Sequence, residues 1–267
     1  MNLSDQQLER YSRHIILKDI GPQGQEKILK GKVLLIGAGG LGAPAALYLA
    51  AAGVGTLGIV DGDVVDLSNP QRQVIHFTAD VGKPKVLSAK EKIAQINPDV
   101  KVNTYQKRLF ADNILDVIKD YDFIIDGTDN FPAKFLVNDA CVLARKPFSH
   151  GGILRFDGQT MTYVPGHACY RCIFPNPPPK GAVPSCSQAG ILGATAGILG
   201  TMQASGAIKY IIGKGQLLTN RLPMFNALSM EFRSVKVKKN LSCAVCGNYS
   251  TITTLVDEEQ PVCDLKR

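Results

Sequence analysis

The sequence predicts an α/β fold with one sheet that carries helices on both faces. Three observations predict it. Strand and helix patterns alternate through residues 31–150, the strand patterns are short apolar runs, and a glycine-rich turn joins the first of these strands to its helix. The pattern is less regular after Pro147. We therefore expect a Rossmann-type doubly wound sheet, parallel in its first half and mixed or antiparallel in its C-terminal part.

Each element follows from a local pattern. Ser4 and Gln7 form a capping box that opens a short helix to about Ile15, because their side chains can satisfy each other's free amides. The run over 32–36 is typical of a strand buried on both faces. The next elements are predicted as a helix over 41–52, a strand over 56–61, a helix over 85–96, a strand over 100–106, a short helix near 114, a strand over 123–126 and a helix over 132–145.

The second half is predicted to contain fewer regular elements. Residues 174–184 are rich in proline, which fits neither a helix interior nor a central strand, so we expect a mobile connection there. The other elements predicted in this half are a strand over 159–164, a long helix over 189–212 and strands near 223–228 and 233–237.

Length and composition describe a folded chain. Its 267 residues are 45% hydrophobic and 20% charged, which excludes a disordered protein. No apolar run reaches the roughly 18 uncharged residues of a membrane helix, and the N-terminus lacks a signal pattern, so we expect a cytoplasmic protein without a membrane part. The net charge of +7 is spread along the chain, and we expect no nucleic-acid binding. We predict a helical arm over 1–30 and a single domain over 31–267, with a nucleotide-binding half to about residue 150.

The glycine turn predicts a phosphate site. Gly37, Gly39 and Gly40 lie between a buried strand and a helix, where glycines allow a ligand to approach the backbone and the helix offers free amides. Asp61 ends the next strand, where a carboxylate can accept hydrogen bonds from ribose hydroxyls. Alone, this pattern is typical of NAD binding by a dehydrogenase.

Charged residues farther along the chain favour a triphosphate. A leaving pyrophosphate develops charge that Arg and Lys must stabilise, whereas NAD needs little more than the helix N-terminus. A carboxylate at the end of the fourth strand suits Mg²⁺ together with phosphate oxygens. The candidate residues for this nucleotide site, beyond the glycines and Asp61, are Asp63, Ser68, Asn69, Arg72, Gln73, Lys85, Asp129 and Asn130.

Two Cys-x-x-Cys pairs predict a structural metal site. Cys169 with Cys172 and Cys243 with Cys246 offer four thiolates, the ligand set of a closed tetrahedral zinc site. A redox Cys-x-x-Cys motif is the alternative, and the presence of two copies favours zinc.

The other cysteines and the histidines give weaker signals. Cys186 precedes the long helix, where a thiol is nucleophilic. It could take the activated acyl group, join a sulfur relay or be an accessible but idle cysteine. We expect Cys141 in the core and assign no role to Cys263. The four histidines, His14, His76, His150 and His167, are interpreted as structural, since none has a Ser/His/Asp arrangement around it. His150 ends a predicted strand.

Taken together, these residues resemble the bacterial activators of ubiquitin-like sulfur carriers, the ThiF/MoeB/HesA group, which is related to ubiquitin-activating enzymes. The resemblance rests on segments 10–13, 37–42, 67–73 and 126–130, on Asp61 and Lys85, and on both cysteine pairs. It implies ATP-dependent adenylation of the C-terminal glycine of a carrier that ends in Gly-Gly, in a thiamine or molybdopterin pathway.

The resemblance also implies roles for individual residues. Asp61 would hold the ribose, Asp129 would bind Mg²⁺, and Asn69, Arg72 and Lys85 would contact the phosphates. Arg13 would reach the triphosphate of a partner subunit, which implies a homodimer. Cys186 would lie where some members use a loop cysteine covalently, and residues 151–250 would bind the carrier. We expect no attached sulfur-donor domain, so the sulfur would come from a separate cysteine desulfurase or rhodanese.

Three alternatives stay open. A dehydrogenase would lack the cysteine pairs and the set formed by Arg72, Lys85 and Asp129, and a non-catalytic scaffold would have lost members of that set. The same chemistry could also act on another acceptor, such as a peptide or a tRNA. Gly206 departs from the family pattern, since it replaces a glutamate that is common in the long helix, and it makes a glutamate-dependent carrier contact doubtful.

Overall fold

The computed structural model describes residues 3–179, 182 and 189–257. Eight strands form one sheet in the order β3-β2-β1-β4-β5-β6-β7-β8. The first five strands are parallel to their neighbours, and the contacts from β5 to β8 are antiparallel, as predicted. The strands are β1 Lys32–Ile36, β2 Thr56–Val60, β3 Lys101–Tyr105, β4 Phe123–Asp126, β5 Phe148–Leu154, β6 Asp157–Tyr163, β7 Arg221–Asn226 and β8 Glu231–Lys236.

Eight α-helices accompany the sheet in the part of the chain that the structure describes. The predicted capping box opens the first helix, where the amide of Gln7 donates to Ser4 Oγ and the amide of Ser4 donates to Gln7 Oε1. None of the helices is long and apolar enough to cross a membrane. The helices are α1 Asp5–Arg10, α2 Ser12–Ile15, α3 Gly21–Lys30, α4 Gly42–Ala52, α5 Lys85–Ile96, α6 Ile114–Ile118, α7 Phe131–Leu143 and α8 Gly193–Ile212.

The alternation of side chains along β1 shows why the sheet is covered on both faces. Val33 and Leu35 point into a core formed with α3, α4, α5 and α8. Leu34 and Ile36 point the other way, into a core formed with α6 and α7. All four side chains are at most 5% exposed, so the near-continuous apolar run of β1 reflects burial on both sides.

The structure differs from the sequence prediction at four elements. The helix predicted to reach about Ile15 is divided at Tyr11 into α1 and α2. Helix α3 was not predicted, because Gly21, Pro22 and Gly24 lie within it; the proline is tolerated in the first turn, and Ile28 anchors the helix in the core. Strand β5 continues to Leu154, beyond His150, where the sequence prediction ends it. Helix α8 begins at Gly193, later than predicted. Residues 174–179 contain no helix or strand, as the prolines indicate, and most of the remaining connection lies outside the described residues.

Candidate active site

A cavity of about 790 Å³ lies at the carboxyl edge of the parallel strands. Most of the predicted nucleotide-site residues line it. Ser68, Asn69 and Arg13 do not line it, and Cys186 lies outside the described residues. The predicted residues on its wall are Gly37, Gly39, Gly40, Asp61, Asp63, Arg72, Gln73, Lys85, Asp129 and Asn130.

A second cavity, of about 810 Å³, lies at the opposite edge of the sheet. Lys27, Tyr121 and Lys146 are among its lining residues, and it contains none of the predicted site residues. In open parallel sheets ligands bind at the carboxyl ends of the strands, so the first cavity is the candidate active site.

The glycine turn combines one glycine that the fold requires with two that leave room for a ligand. Gly37 has a φ of 99°, and a Cβ added there would lie 2.8 Å from the carbonyl oxygen of Gly127. At Gly39 the nearest atom to an added Cβ is Gln73 Nε2 at 3.7 Å, and at Gly40 it is Ala196 Cβ at 3.4 Å. The absent side chains of Gly39 and Gly40 therefore open the backbone to the cavity, as a phosphate-binding turn requires.

Asp61 is held rigidly beside this turn. Its Oδ2 accepts a hydrogen bond from the amide of Ala38 at 2.9 Å, and its Oδ1 accepts one from the amide of Asp63 at 2.9 Å. A carboxylate has about four acceptor positions, so two contacts leave capacity for the hydroxyls of a ribose. The observed geometry fits the predicted role.

Cationic side chains surround Asp63 on the cavity wall. Lys85 Nζ lies 3.3 Å from Asp63 Oδ2, and Arg108 Nη2 lies 3.5 Å from Asp63 Oδ1. Arg108 and its neighbour Lys107 were not predicted. They follow strand β3, whose carboxyl end lies at the same sheet edge, and that position was the available signal.

Arg72 and Gln73 reach the cavity from the loop that precedes α5. Arg72 Nη1 donates to the carbonyl of Ser68 at 2.9 Å, while Asn69 Oδ1 accepts from the amide of Asp66 at 3.0 Å. Ser68 and Asn69 thus contact other residues of the loop, and neither lines the cavity. Gln73 Oε1 is buried and has no hydrogen-bond partner among the described residues, so it can accept a hydrogen bond from a ligand.

A buried network fixes this loop to the glycine turn and to α5. His76 Nε2 lies 2.9 Å from the carbonyl oxygen of Ala38, and its Nδ1 lies 2.9 Å from Ser88 Oγ. Asp80 accepts hydrogen bonds from Lys92 Nζ at 2.8 Å and from Ser88 Oγ at 3.0 Å. Burial acts to raise the pKa of Asp80, but its hydrogen bonds outweigh burial and lower it to about 2. His76 is structural, as predicted, and it joins two walls of the cavity.

A second buried network lies under the carboxyl ends of β4 and β5. Asp126 is fully buried, and its Oδ2 accepts from Lys134 Nζ at 3.3 Å and contacts His150 Nδ1 at 3.0 Å. Burial acts to raise the pKa of Asp126, but Lys134, His150 and Thr128 outweigh burial and hold it below its usual range. Lys134 and His150 line the cavity, and the sequence did not predict either at the site.

Asp129 differs from Asp126 in being exposed at the rim of the cavity. None of the described cationic side chains lies within ion-pair distance of it, and its described polar contact is Asn130 Nδ2 at 3.5 Å. Asn130 itself caps α7, since its Oδ1 accepts from the amide of Ala133 at 3.0 Å. A free carboxylate beside a phosphate-binding turn is a donor that suits Mg²⁺.

The four predicted zinc ligands meet at one point. Their Sγ atoms all lie within 4.8 Å of one another, with separations of 4.0 Å for Cys169 and Cys172, 3.6 Å for Cys169 and Cys243, and 3.4 Å for Cys172 and Cys246. Sulfurs bound tetrahedrally to zinc at 2.3 Å are about 3.8 Å apart, so the cluster can hold this ion. Cys141 is fully buried in the core, as predicted.

The cysteine cluster supports the cavity wall through Tyr170. This residue lies between Cys169 and Cys172, and its ring contacts Phe135 and His150 with centroid distances of 5.1 Å and 4.4 Å. Arg171 forms an ion pair of 2.7 Å with Asp139 on α7. A metal at the cluster would therefore stabilise the wall that carries His150 without lying in the cavity.

Comparison with known proteins gives the family. The ThiF family model matches residues 11–245. The chain belongs to the ThiF family. A relative named sulfur carrier protein adenylyltransferase, from Thermus thermophilus, is 44% identical over 265 residues, which cover 97% of this chain and 98% of the relative. This match confirms the predicted family and the predicted enzyme class, an adenylyltransferase.

Other ThiF-related proteins extend the comparison. The probable adenylyltransferase/sulfurtransferase MoeZ of Mycobacterium tuberculosis is 49% identical over 97% of this chain, which spans 66% of MoeZ. A crystal structure of Escherichia coli MccB with MccA-N7isoASN aligns with a TM-score of 0.79 at 24% identity, over 92% of this chain and 76% of MccB. At that identity the MccB match supports the fold alone.

Proposed function

We propose that this ThiF-family chain adenylates the C-terminal glycine carboxylate of a ubiquitin-like sulfur carrier that ends in Gly-Gly, using ATP and Mg²⁺ in the cytoplasm. One observation carries the proposal: a single cavity joins the open glycine turn and Asp61 to the side chains of Arg72, Lys85 and Asp129. The turn and the aspartate fit a nucleoside phosphate. The cations add the charge stabilisation that release of pyrophosphate needs.

The reaction needs no general base in this cavity. The carrier's carboxylate is ionised at neutral pH, so its oxygen attacks the α-phosphorus directly, and the bond to the bridging oxygen of pyrophosphate breaks. Arg72 and Lys85 would stabilise the charge that moves onto pyrophosphate, assisted by Asn69 through the shape of its loop. Asp129 would hold the Mg²⁺ ion, which neutralises phosphate charge. Asp61 would hold the ribose.

The choice of carrier is supported by the names of the relatives. The Thermus protein is named for a sulfur carrier, which favours such a carrier as the acceptor here. A thiamine or a molybdopterin pathway would fit the chemistry equally, because both need a thiocarboxylate at the carrier's C-terminus. In our proposal the sulfur comes from a separate cysteine desulfurase or rhodanese. The zinc held by the four cysteines is structural.

The proposed unit is a homodimer with shared sites. Arg13 is exposed on α2 and does not line the cavity of its own chain, so its guanidinium is free to complete a partner's site. Mixing Arg13→Ala protein with Lys85→Ala protein would then rebuild one intact site in each mixed dimer. We expect recovery of roughly a quarter of wild-type activity after subunit exchange. If the mixture stays as inactive as its components, each site is complete within one chain.

The test of the function is carrier-dependent exchange of pyrophosphate into ATP. We expect exchange with at least one purified carrier ending in Gly-Gly and none when the carrier lacks its last glycine. Lys85→Ala should reduce exchange by at least about a hundredfold, because one phosphate-stabilising cation is removed. Cys186→Ala is the control and should retain exchange, since a carboxylate needs no thiol to attack ATP. Bound ATP without exchange for any such carrier would refute the proposal.

A further inference from the structure

His150 presents a buried nitrogen that lacks a partner. The side chain is 1% exposed, and Nδ1 lies 3.0 Å from a carboxylate oxygen of Asp126, which can only accept. Nδ1 therefore carries the proton. Burial and the nearby charge of Lys134 lower the pKa of His150, so the ring is neutral and Nε2 is an acceptor. None of the described groups donates a hydrogen bond to Nε2.

The unpaired Nε2 lies beside Gly152 at the wall of the cavity. A Cβ added at Gly152 would lie 3.5 Å from Nε2 and 3.5 Å from Gln159 Cγ, so the missing side chain leaves room beside the nitrogen. His150, Gly152 and Gln159 all line the cavity. The Tyr170 ring and the hydrogen bond to Asp126 fix the imidazole from behind. The site therefore offers a fixed acceptor to a ligand that passes over Gly152.

This acceptor lies away from the nucleotide end of the cavity. The ribose carboxylate Asp61 follows β2, while His150 lies on β5, and β1 and β4 separate the two strands. Three strand spacings of about 4.8 Å place them about 14 Å apart across the sheet. The wall continues from β5 to Asp157 and Gly158 on β6 and to Met224 on β7. This part of the cavity is open to a second substrate.

We propose that His150 Nε2 accepts a hydrogen bond from a backbone amide of the substrate's terminal Gly-Gly, and that it positions the carboxylate for attack. This inference rests on the proposed function. An extended peptide carries N–H donors along its length, and one that lacks side chains can pass closely over Gly152. His150 is in this account a substrate-positioning residue, and no proton is transferred to or from it.

The test removes each partner of the hydrogen bond in turn. Semisynthetic carriers in which an ester replaces the amide of either terminal glycine lack that N–H and keep the carboxylate. His150→Phe keeps a ring against Tyr170 and removes the acceptor. With the wild-type enzyme we expect one ester carrier to lower kcat/KM for pyrophosphate exchange about fivefold to tenfold. His150→Phe should show a similar loss with the amide carrier, no further loss with that ester, and an unchanged KM for ATP.

The matched control is His167→Phe, since His167 lies away from the cavity and contacts Asn220. It should behave as wild type with both carriers. If His150→Phe loses as much activity on ester substitution as the wild type does, the hydrogen bond does not exist. If exchange fails with every carrier in the wild-type enzyme, the proposed function and this inference fall together. If exchange proceeds but the losses caused by His150→Phe and by the ester are independent of each other, the His150 assignment alone is refuted.

A measurement on the wild-type enzyme tests the inference even if His150→Phe fails to fold. Nitrogen-15 NMR of the histidine rings distinguishes an unprotonated nitrogen with and without a hydrogen-bond donor, and the chain has four histidines. Saturation with a synthetic peptide that carries the carrier's tail should shift the Nε2 signal of His150 upfield. The ester analogue should not shift it. A signal that stays unchanged at saturation would overturn the inference.

Discussion

Replacement of Gly39 by alanine separates the stability of the glycine turn from its function. In the structure an added methyl group at Gly39 meets a single atom within 4 Å, Gln73 Nε2 at 3.7 Å, and the backbone there does not require glycine. Gly39→Ala should therefore change the free energy of unfolding by no more than about 1 kcal/mol. The methyl group would instead occupy the space through which phosphate oxygens approach the amides of the turn.

The expected loss is in nucleotide affinity. Displacing a phosphate oxygen removes one hydrogen bond from a backbone amide to a charged acceptor, which is worth about 1.5–3 kcal/mol. That corresponds to a rise of about 10–150-fold in the Kd for ATP. Isothermal titration with Mg²⁺-ATP measures the affinity, and urea unfolding of the same samples measures stability.

Gly37→Ala is the matched variant, because it combines a φ of 99° with a Cβ 2.8 Å from the Gly127 oxygen. We expect it to lower the free energy of unfolding by more than about 1 kcal/mol, because alanine is strained in that conformation. Wild-type affinity for ATP in a folded Gly39→Ala protein would refute the phosphate role of the turn. Equal destabilisation by the two substitutions would refute the geometric distinction between the two glycines.

Three further predictions address stability. Gly206→Ala should raise the free energy of unfolding by about 0.5–1 kcal/mol, because an added Cβ meets only Thr162 Oγ1 at 3.8 Å. Gly200→Ala in the same helix should lower the free energy of unfolding, because its Cβ overlaps the Leu41 carbonyl oxygen. Urea unfolding checks both, and a destabilised Gly206→Ala would contradict the account. Asp80 has a folded pKa of about 2, below its unfolded value, so its contribution is complete above the unfolded pKa and is lost as pH falls through the folded one. The free energy of unfolding of the wild type should exceed that of Asp80→Asn by about 2 kcal/mol at neutral pH, and this difference should shrink between about pH 4 and pH 2. Asp116→Asn, which removes one side of an exposed ion pair, should change the stability little. A difference that does not depend on pH would show that the pKa of Asp80 is not lowered. Metal analysis should find one zinc per chain. Cys243→Ser should lose the zinc and more than about 3 kcal/mol of stability, whereas Cys263→Ser should keep both. Retention of zinc in Cys243→Ser would contradict the four-cysteine site.

The predictable part of the fold is the part set by local sequence. The apolar run of β1, the glycine turn and the start of α5 at Lys85 all appear where the sequence indicates. Strand β5 was predicted only as far as His150, because Gly151 and Gly152 continue no apolar strand pattern. Beyond His150 the strand pairs with β6 and no longer with β4, and that pairing depends on the position of the partner strand.

The predictable part of the site follows the same rule. Asp61, Arg72 and Lys85 were found because short motifs carry them. Arg108, Lys134 and His150 were missed because their role depends on which strand ends are neighbours, and the order of strands is a property of the whole sheet. For His150, a histidine beside two glycines gave no sign that one ring nitrogen would be paired with Asp126 and the other left open.

The most direct test of adenylation is the fate of a phosphate label in a single turnover. ATP labelled at the α-phosphate is mixed with the enzyme, Mg²⁺ and a carrier ending in Gly-Gly, and the carrier is separated under acid. The account predicts that the α-label appears on the carrier and is lost when the terminal glycine is removed, while a γ-label leaves as pyrophosphate. A carrier that takes up the γ-label, or takes up no label although ATP is bound, would contradict the account.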